Sequence, residues 1–188
     1  MNFKVFIILN WNFVKNRTNH KMKNLNSELR KIKEIGYDNC SLLMSDLVIE
    51  AESIAYKACS FKLNELDIIC RKAKITPKKI GQFVTFWKRN ADNITEPFDE
   101  TTQIDFYVIN VMKDNRLGQF VFPKSILIKK KIMSAAGKDG KRGFRVYPIW
   151  DIPSSKQAKN TQNWQIKYFI EFDDKFDLNI FKKLYQIN

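Results

Sequence analysis

The chain has 188 residues, of which 33 are Lys or Arg and 20 are Asp or Glu, so its formal net charge is +13. Its 44% of apolar residues, with 13% aromatic residues, can build a hydrophobic core, which excludes a mainly disordered chain. The excess of basic residues indicates an anionic partner, such as nucleic acid, a nucleotide or a membrane surface.

The rarest residues narrow the possible chemistry. His20 is the single histidine, which argues against a Ser-His-Asp triad and against a His-ligated zinc site. The three cysteines, Cys40, Cys59 and Cys70, form no C-x-x-C pair, so we predict neither disulfides nor a thiolate metal site. We therefore expect reduced thiols in a cytoplasmic protein, with no certain cofactor and no confidently assigned metal.

The N-terminal segment has two interpretations. Residues 3–14 are apolar, but they are too few to cross a membrane, because a spanning helix needs about 20 apolar residues. Met22 offers a second start, so residues 1–21 are an extension outside the fold or, alternatively, a strand added to a sheet edge. We expect residues 22–188 to form a single globular domain.

The next elements alternate between helix and strand. Asn26 or the residue after it is expected to cap a helix that ends near Ile35. Residues 41–54 fit either a helix or a loop that leads into a strand. Residues 55–63 and 67–75 are predicted to pair as a hairpin.

A helix is predicted over residues 76–90. Thr76 is a suitable N-cap, and Pro77 suits the first helical position. Apolar residues recur after three, four and seven positions, as on the buried face of a helix: Ile80, Phe83, Val84 and Trp87.

The second half of the chain repeats the alternation. The predicted strands are residues 104–112, 119–122 and 144–150, while residues 165–172 fit either a strand or a helix extension. Helices are expected to begin at Pro123, near Ser155 and at Asp177. Strands that interleave with helices, some through tight turns, predict an α/β or α+β sandwich with a mixed central sheet.

Basic residues concentrate in two separated segments. Eight basic and two acidic residues lie in 62–90, and ten basic and two acidic residues lie in 113–145. Residues 91–112 between them are acidic. The distribution therefore predicts one anion cleft built from two places.

The first basic segment surrounds the start of the predicted helix at Thr76. Lysines there oppose the helix dipole, whereas a bound phosphate would be stabilised by it. The alternative is that these side chains extend into solvent. The predicted anion-binding residues of this segment are Arg71, Lys74, Lys78 and Lys79.

The second basic segment is a glycine-rich loop over residues 137–148. It lacks the complete P-loop pattern, and a solvated basic loop is the alternative. Its predicted anion-binding residues are Lys141, Arg142 and Arg145. Tyr147 and Trp150 are the candidates for stacking on a base.

Carboxylates are the only plausible metal ligands. A magnesium-dependent phosphodiesterase would need several acids and a lysine at one place. The catalytic candidates are Glu50, Glu52 and Asp105, with Lys74 stabilising developing charge, and Mg²⁺ is the implied cofactor only if the protein is an enzyme. Each acid taken singly is more often an ordinary cap, turn or ion-pair residue than a metal ligand.

Five segments in order resemble the MepB family: AESIAYKACSF (51–61), RKAKITPKKIGQFVTFWKR (71–89), GQFVFPKSIL (118–127), GKRGFRVYPIWD (140–151) and KNTQNWQIKYF (159–169). The resemblance implies a bacterial protein from a family associated with a multidrug efflux system. It also implies a restriction-endonuclease-like sandwich, a fold class that contains many nucleic-acid enzymes. Arg71 and Lys72 stand where a nuclease pattern would place acids, so such a catalytic centre would be rearranged or lost.

Three functions follow from these features. The first is binding of a phosphate-bearing ligand, meaning nucleic acid or a nucleotide, in a basic cleft. The second is a metal-dependent nuclease, and the third is a regulatory protein-interaction module. A membrane partner is not expected, because the basic residues are spread over turns and helix starts.

Overall fold

A computed structural model describes residues 25–187, and a six-stranded sheet lies at their centre. The N-terminal extension, whichever of its two interpretations holds, lies outside the described residues. The strands are β1 (Met44–Ile49), β2 (Cys59–Leu63), β3 (Leu66–Lys72), β4 (Lys74–Thr76), β5 (Lys79–Thr85), β6 (Trp87–Arg89), β7 (Thr95–Pro97), β8 (Phe106–Lys113), β9 (Arg116–Pro123), β10 (Gly143–Val146) and β11 (Phe169–Glu171).

The central sheet has the strand order β1-β2-β3-β8-β9-β11. β3 and β8 run parallel, with Ile68 beside Phe106, and the other neighbours are antiparallel. The predicted α+β fold with a mixed central sheet is therefore confirmed. A separate small sheet has the order β10-β5-β4, and β6 pairs with β7.

Two predicted hairpins are present in the central sheet. β2 and β3 are joined by Asn64 and Glu65, and Asn64 has a φ of 52°, a left-handed conformation that asparagine tolerates. β8 and β9 are joined at Asp114 and Asn115, so that β9 begins inside the predicted turn. The ambiguous residues 41–54 contain strand β1.

The α-helices are short and begin at the expected capping residues. Their bounds are α1 (Ser27–Ile32), α2 (Lys124–Lys129), α3 (Lys156–Gln165) and α4 (Leu178–Leu184). Asn26, Ser155 and Asp177 each accept a hydrogen bond from a backbone N–H in the first turn of their helix. A π-helical turn, Lys33–Tyr37, follows α1. A 3₁₀ turn, Ile166–Tyr168, lies between α3 and β11.

The predicted helix over residues 76–90 is wrong. Thr76 and Lys79 pair across a turn made by Pro77 and Lys78, so that β4 and β5 form a hairpin. Proline also suits the second position of a β-turn, and the segment is rich in β-branched and aromatic residues, which favour strands. Burial follows a strand period of two, at Gln82, Val84 and Phe86.

Each face of the central sheet covers its own hydrophobic core. On β8, Phe106 and Val108 face one core, whereas Tyr107, Ile109 and Val111 face the other. α1 and α4 close the first core. The small sheet, through Val84 and Val146, and Trp164 of α3 pack on the second core. Burial on both faces explains why β8 reads as a nearly continuous apolar run.

None of the helices within residues 25–187 is long and apolar enough to cross a membrane.

Candidate functional site

A basic cleft of about 420 Å³ lies between the small sheet and α3. Four cationic side chains line it, and no carboxylate does: Lys79, Lys130, Lys141 and Arg145. Tyr147 and Trp164 supply aromatic surface. None of the four cations forms an ion pair with another residue in the described part of the chain.

The pairing of β5 with β10 brings the two basic segments together. Arg145 lies beside Phe83, and Gly143 lies beside Thr85, in an antiparallel register. This register places Lys79, at the start of β5, near Arg145, whose guanidinium donates to the Lys79 carbonyl over 3.4 Å. Residues more than 60 positions apart in sequence thereby line one cleft.

Arg145 is held by neutral groups. Its guanidinium donates to the carbonyl of Gly81 over 2.9 Å and to the hydroxyl of Thr76 over 2.6 Å, and it lies 6.0 Å from the ring centre of Phe83. Because these partners carry no charge, they fix the geometry of Arg145 without neutralising it. An anion in the cleft would be the first opposite charge it meets.

Gln165 joins α3 to β10 and so sets the width of the cleft. Its fully buried side chain accepts a hydrogen bond from the Tyr147 N–H and donates one to the Arg145 carbonyl, both over 2.9 Å. The Gln165 amide thus hydrogen-bonds backbone groups at the free edge of β10, which a neighbouring strand would otherwise bond.

The cleft continues along α3 as a more open groove of about 510 Å³. Lys130 and Lys156 line this groove, together with Asn160 and Trp164. The Lys130 ammonium lies 5.1 Å from the ring centre of Trp164, a cation–π contact that leaves its charge accessible. Sequence reasoning missed Lys130, Lys156 and Gln165. A polar helix was predicted over residues 155–164, but nothing in its pattern marked one side as part of a site.

Not all predicted anion-binding residues line the cleft. Lys79, Lys141 and Arg145 do, together with the stacking candidate Tyr147. Arg142 donates to the carbonyl of Thr95, and Lys78 lies in the exposed β4–β5 turn. The helix dipole invoked for the first segment is absent, because the segment is a hairpin.

The remaining two predicted residues of the first segment have partners elsewhere. Arg71 is buried and donates to both carboxylate oxygens of Glu50, over 3.0 and 2.7 Å. The Lys74 ammonium lies 4.9 Å from the ring centre of Tyr56. Neither side chain lines the basic cleft.

Trp150, the second stacking candidate, packs within the protein. Its ring lies edge-on to Phe169 with 5.5 Å between ring centres, and the Arg116 guanidinium lies 4.6 Å from its centre. It lines a smaller cavity next to the basic cleft.

The candidate metal ligands are in contact with other protein groups. Glu50 pairs with Arg71, Glu52 pairs with Arg89, and Asp105 accepts a hydrogen bond from the Asp67 N–H. Asp67 and Arg71 are four residues apart on β3, a distance of about 13 Å along a strand. Among residues 25–187 there is no group of three or more His, Cys, Asp or Glu side chains that could hold a metal ion.

A model of the MepB-like family matches residues 50–171, which include every residue that lines the basic cleft. The chain belongs to the MepB-like family. The predicted resemblance is thereby confirmed, and the cleft lies wholly within the family region.

A solved structure of MepB agrees with the family assignment. The MepB-like chain is 32% identical to a crystal structure of MepB, which it matches with a TM-score of 0.69 over 80% of this chain and 100% of that one. A bacterial homing endonuclease, I-Ssp6803I, is 12% identical, with a TM-score of 0.38 over 69% of this chain and 81% of that one. Comparison with curated proteins gives no match.

Proposed function

We propose that this MepB-like protein binds a phosphate-bearing ligand, a nucleic acid or a nucleotide, in the basic cleft. The observation that carries the proposal is the convergence of Lys79, Lys130, Lys141 and Arg145 on one cleft without a lining carboxylate. The four positive charges repel one another, and a bound phosphate would offset that repulsion because it attracts each of them.

The shape of the site favours a polymer over a single nucleotide. The cleft and the groove share Lys130 and follow α3, whose ten residues span about 15 Å. That length accommodates more than one phosphate of an extended strand. Tyr147 and Trp164 lie beside the cations, as aromatic residues do in sites that hold single strands by stacking.

The test is binding of a fluorescently labelled single-stranded oligonucleotide, followed by anisotropy over a range of salt concentrations. If about four phosphates are neutralised, the slope of log K against log salt is about −3, since each contact contributes about −0.7 for single strands. Lys79→Gln combined with Lys141→Gln is expected to weaken binding at least tenfold at low salt and to reduce the slope by about 1.4.

The matched control is Lys175→Gln combined with Lys183→Gln. It removes the same charge from exposed positions that do not line the cleft. At 0.1 M salt it is expected to leave binding within about twofold of the original protein, because charges that do not contact the ligand are screened over about 10 Å. Equal losses in the two double variants would refute the cleft as the binding site, and no binding of DNA, RNA or nucleotides at low salt would refute the function.

A further inference from the structure

A second cavity of about 290 Å³ adjoins the basic cleft, and Lys79 lines both. We propose that this cavity receives one nucleobase of the ligand whose phosphates lie in the basic cleft, an inference that rests on the proposed function. Its size is just below the roughly 300–1,000 Å³ of sites for drug-sized ligands, which suits a group as small as one base.

Polar groups without partners mark the cavity as a place for a ligand. Gln82 lines it and is only 1% exposed, yet neither its amide nitrogen nor its amide oxygen has a hydrogen-bond partner within the described residues. The same holds for the indole nitrogen of Trp150 and for one carboxylate oxygen of Asp151. Buried polar atoms are nearly always hydrogen-bonded, so four unpartnered atoms on three side chains that line one cavity need an explanation.

The other buried amides of the protein show what is unusual about Gln82. Gln165 uses both ends of its amide between α3 and β10. Gln119 donates to Asn110 over 2.8 Å and accepts from Tyr185 over 2.8 Å. Gln82 instead lies beside Ile75 on the face of the small sheet that lines the cavity.

The unpartnered atoms form the donor and acceptor set that a base edge requires. A glutamine amide can donate and accept at the same time, as it does when it pairs with the N6 and N7 atoms of adenine. The indole N–H of Trp150 can donate to a ring nitrogen or a carbonyl. One oxygen of Asp151 lies 3.6 Å from the Lys113 ammonium, which leaves its other oxygen to accept from an exocyclic amine.

Apolar side chains line the same cavity. Ile75, Ile80 and Ile152 are 59%, 48% and 84% exposed, although isoleucine is among the residues most often buried. Flat aromatic ligands are held by apolar contacts on their faces and by a few placed polar groups at their edges. A base in the cavity would cover these side chains and satisfy the polar atoms together.

Gly81 and Tyr147 lie where the cleft and the cavity adjoin. Gly81 lines the cavity and Tyr147 lines the cleft, and a Cβ atom at Gly81 would lie 2.6 Å from the Tyr147 ring. The Tyr147 ring therefore packs directly against Gly81, and Lys79 lines both compartments. A phosphate beside Lys79 and a base beside Gln82 can belong to one nucleotide.

The test compares an oligonucleotide with the same strand made entirely of abasic sites, using the original protein and Gln82→Met. Methionine keeps the size of the side chain and removes the unpartnered amide, so the variant is expected to fold, which its thermal melting checks. The original protein is expected to bind the strand with bases at least about fivefold more tightly than the abasic strand, and Gln82→Met is expected to reduce that difference. Gln103→Met, at an exposed position, is the control.

The outcomes separate this inference from the proposed function. Salt-dependent binding of the abasic strand, with a preference for bases that Gln82→Met leaves unchanged, overturns the base pocket and keeps the basic cleft. Equal binding of both strands by the original protein does the same. Failure of both strands to bind overturns the proposed function as well.

Discussion

Glu50 holds a buried arginine in place, so its replacement by glutamine is expected to destabilise the fold. The Arg71 side chain is 2% exposed, and its guanidinium is bonded to both oxygens of the Glu50 carboxylate. Glu50→Gln removes the negative charge and one of the two acceptors. It leaves a buried cation whose remaining partners, one side-chain oxygen at position 50 and the carbonyl of Cys70, are neutral.

The size of the effect follows from the exposure of the two partners. Breaking a fully buried ion pair costs about 3–5 kcal/mol. Because the Glu50 side chain is 33% exposed, water can solvate part of the uncompensated charge, and we expect a loss of about 2–3 kcal/mol. Glu52→Gln is the matched control: it breaks a pair with Arg89 in which the side chains are 45% and 38% exposed, and it is expected to cost less than about 1 kcal/mol.

Urea unfolding followed by tryptophan fluorescence measures the difference. For an m-value of about 2 kcal/mol/M, Glu50→Gln should lower the midpoint by about 1–1.5 M without changing m. Adding Arg71→Met to Glu50→Gln should recover part of the loss, because no charge is then left buried. A loss for Glu50→Gln no larger than that for Glu52→Gln would refute the structural role of Glu50 and return it to the candidate metal ligands.

Two further predictions concern pH and the width of the cleft. Burial raises the pKa of Asp99, but hydrogen bonds from Lys88 and Thr101 lower it more, to about 2 from an ordinary 3.8. The carboxylate therefore stabilises the fold fully above about pH 4 and progressively less as the pH falls toward 2, so Asp99→Asn should cost up to about 2 kcal/mol in thermal unfolding at pH 7 and less at pH 3. Gln165→Leu should cost about 2–3 kcal/mol in urea, because it leaves the Tyr147 N–H and the Arg145 carbonyl unpaired, and it should weaken oligonucleotide binding more than Gln103→Leu does.

The elements that were predicted correctly are those fixed by neighbouring residues. Asp177 and Ser155 cap their helices through their own side chains, and the β2–β3 turn depends on Asn64 adopting a positive φ. Caps and turns depend on residues only a few positions apart, so the local sequence is enough to predict them. The mixed sheet followed from the order of these elements.

The error at residues 76–90 has a physical cause. Pro77 is compatible with the first turn of a helix and with a β-turn. Ile80 and Val84, four positions apart, lie on one face of a helix and also on one face of a strand. What decides is the partner: Val84 pairs with Phe144, a residue 60 positions away, and packs in the second core. No local pattern carries that information, because the stabilisation arises only when the distant strand is in place.

The same reasoning explains which site residues could be recognised. A basic residue can be recognised in the sequence, but its charge is available to a ligand only if no carboxylate of the protein already pairs with it. Arg71 pairs with Glu50, whereas Arg145 has only neutral partners. Gln82 gave no signal at all, since an isolated glutamine in a strand is unremarkable until its burial and its lack of partners are known. Charge can be read from the sequence, whereas buried polar atoms without partners are recognised only once the tertiary packing is known.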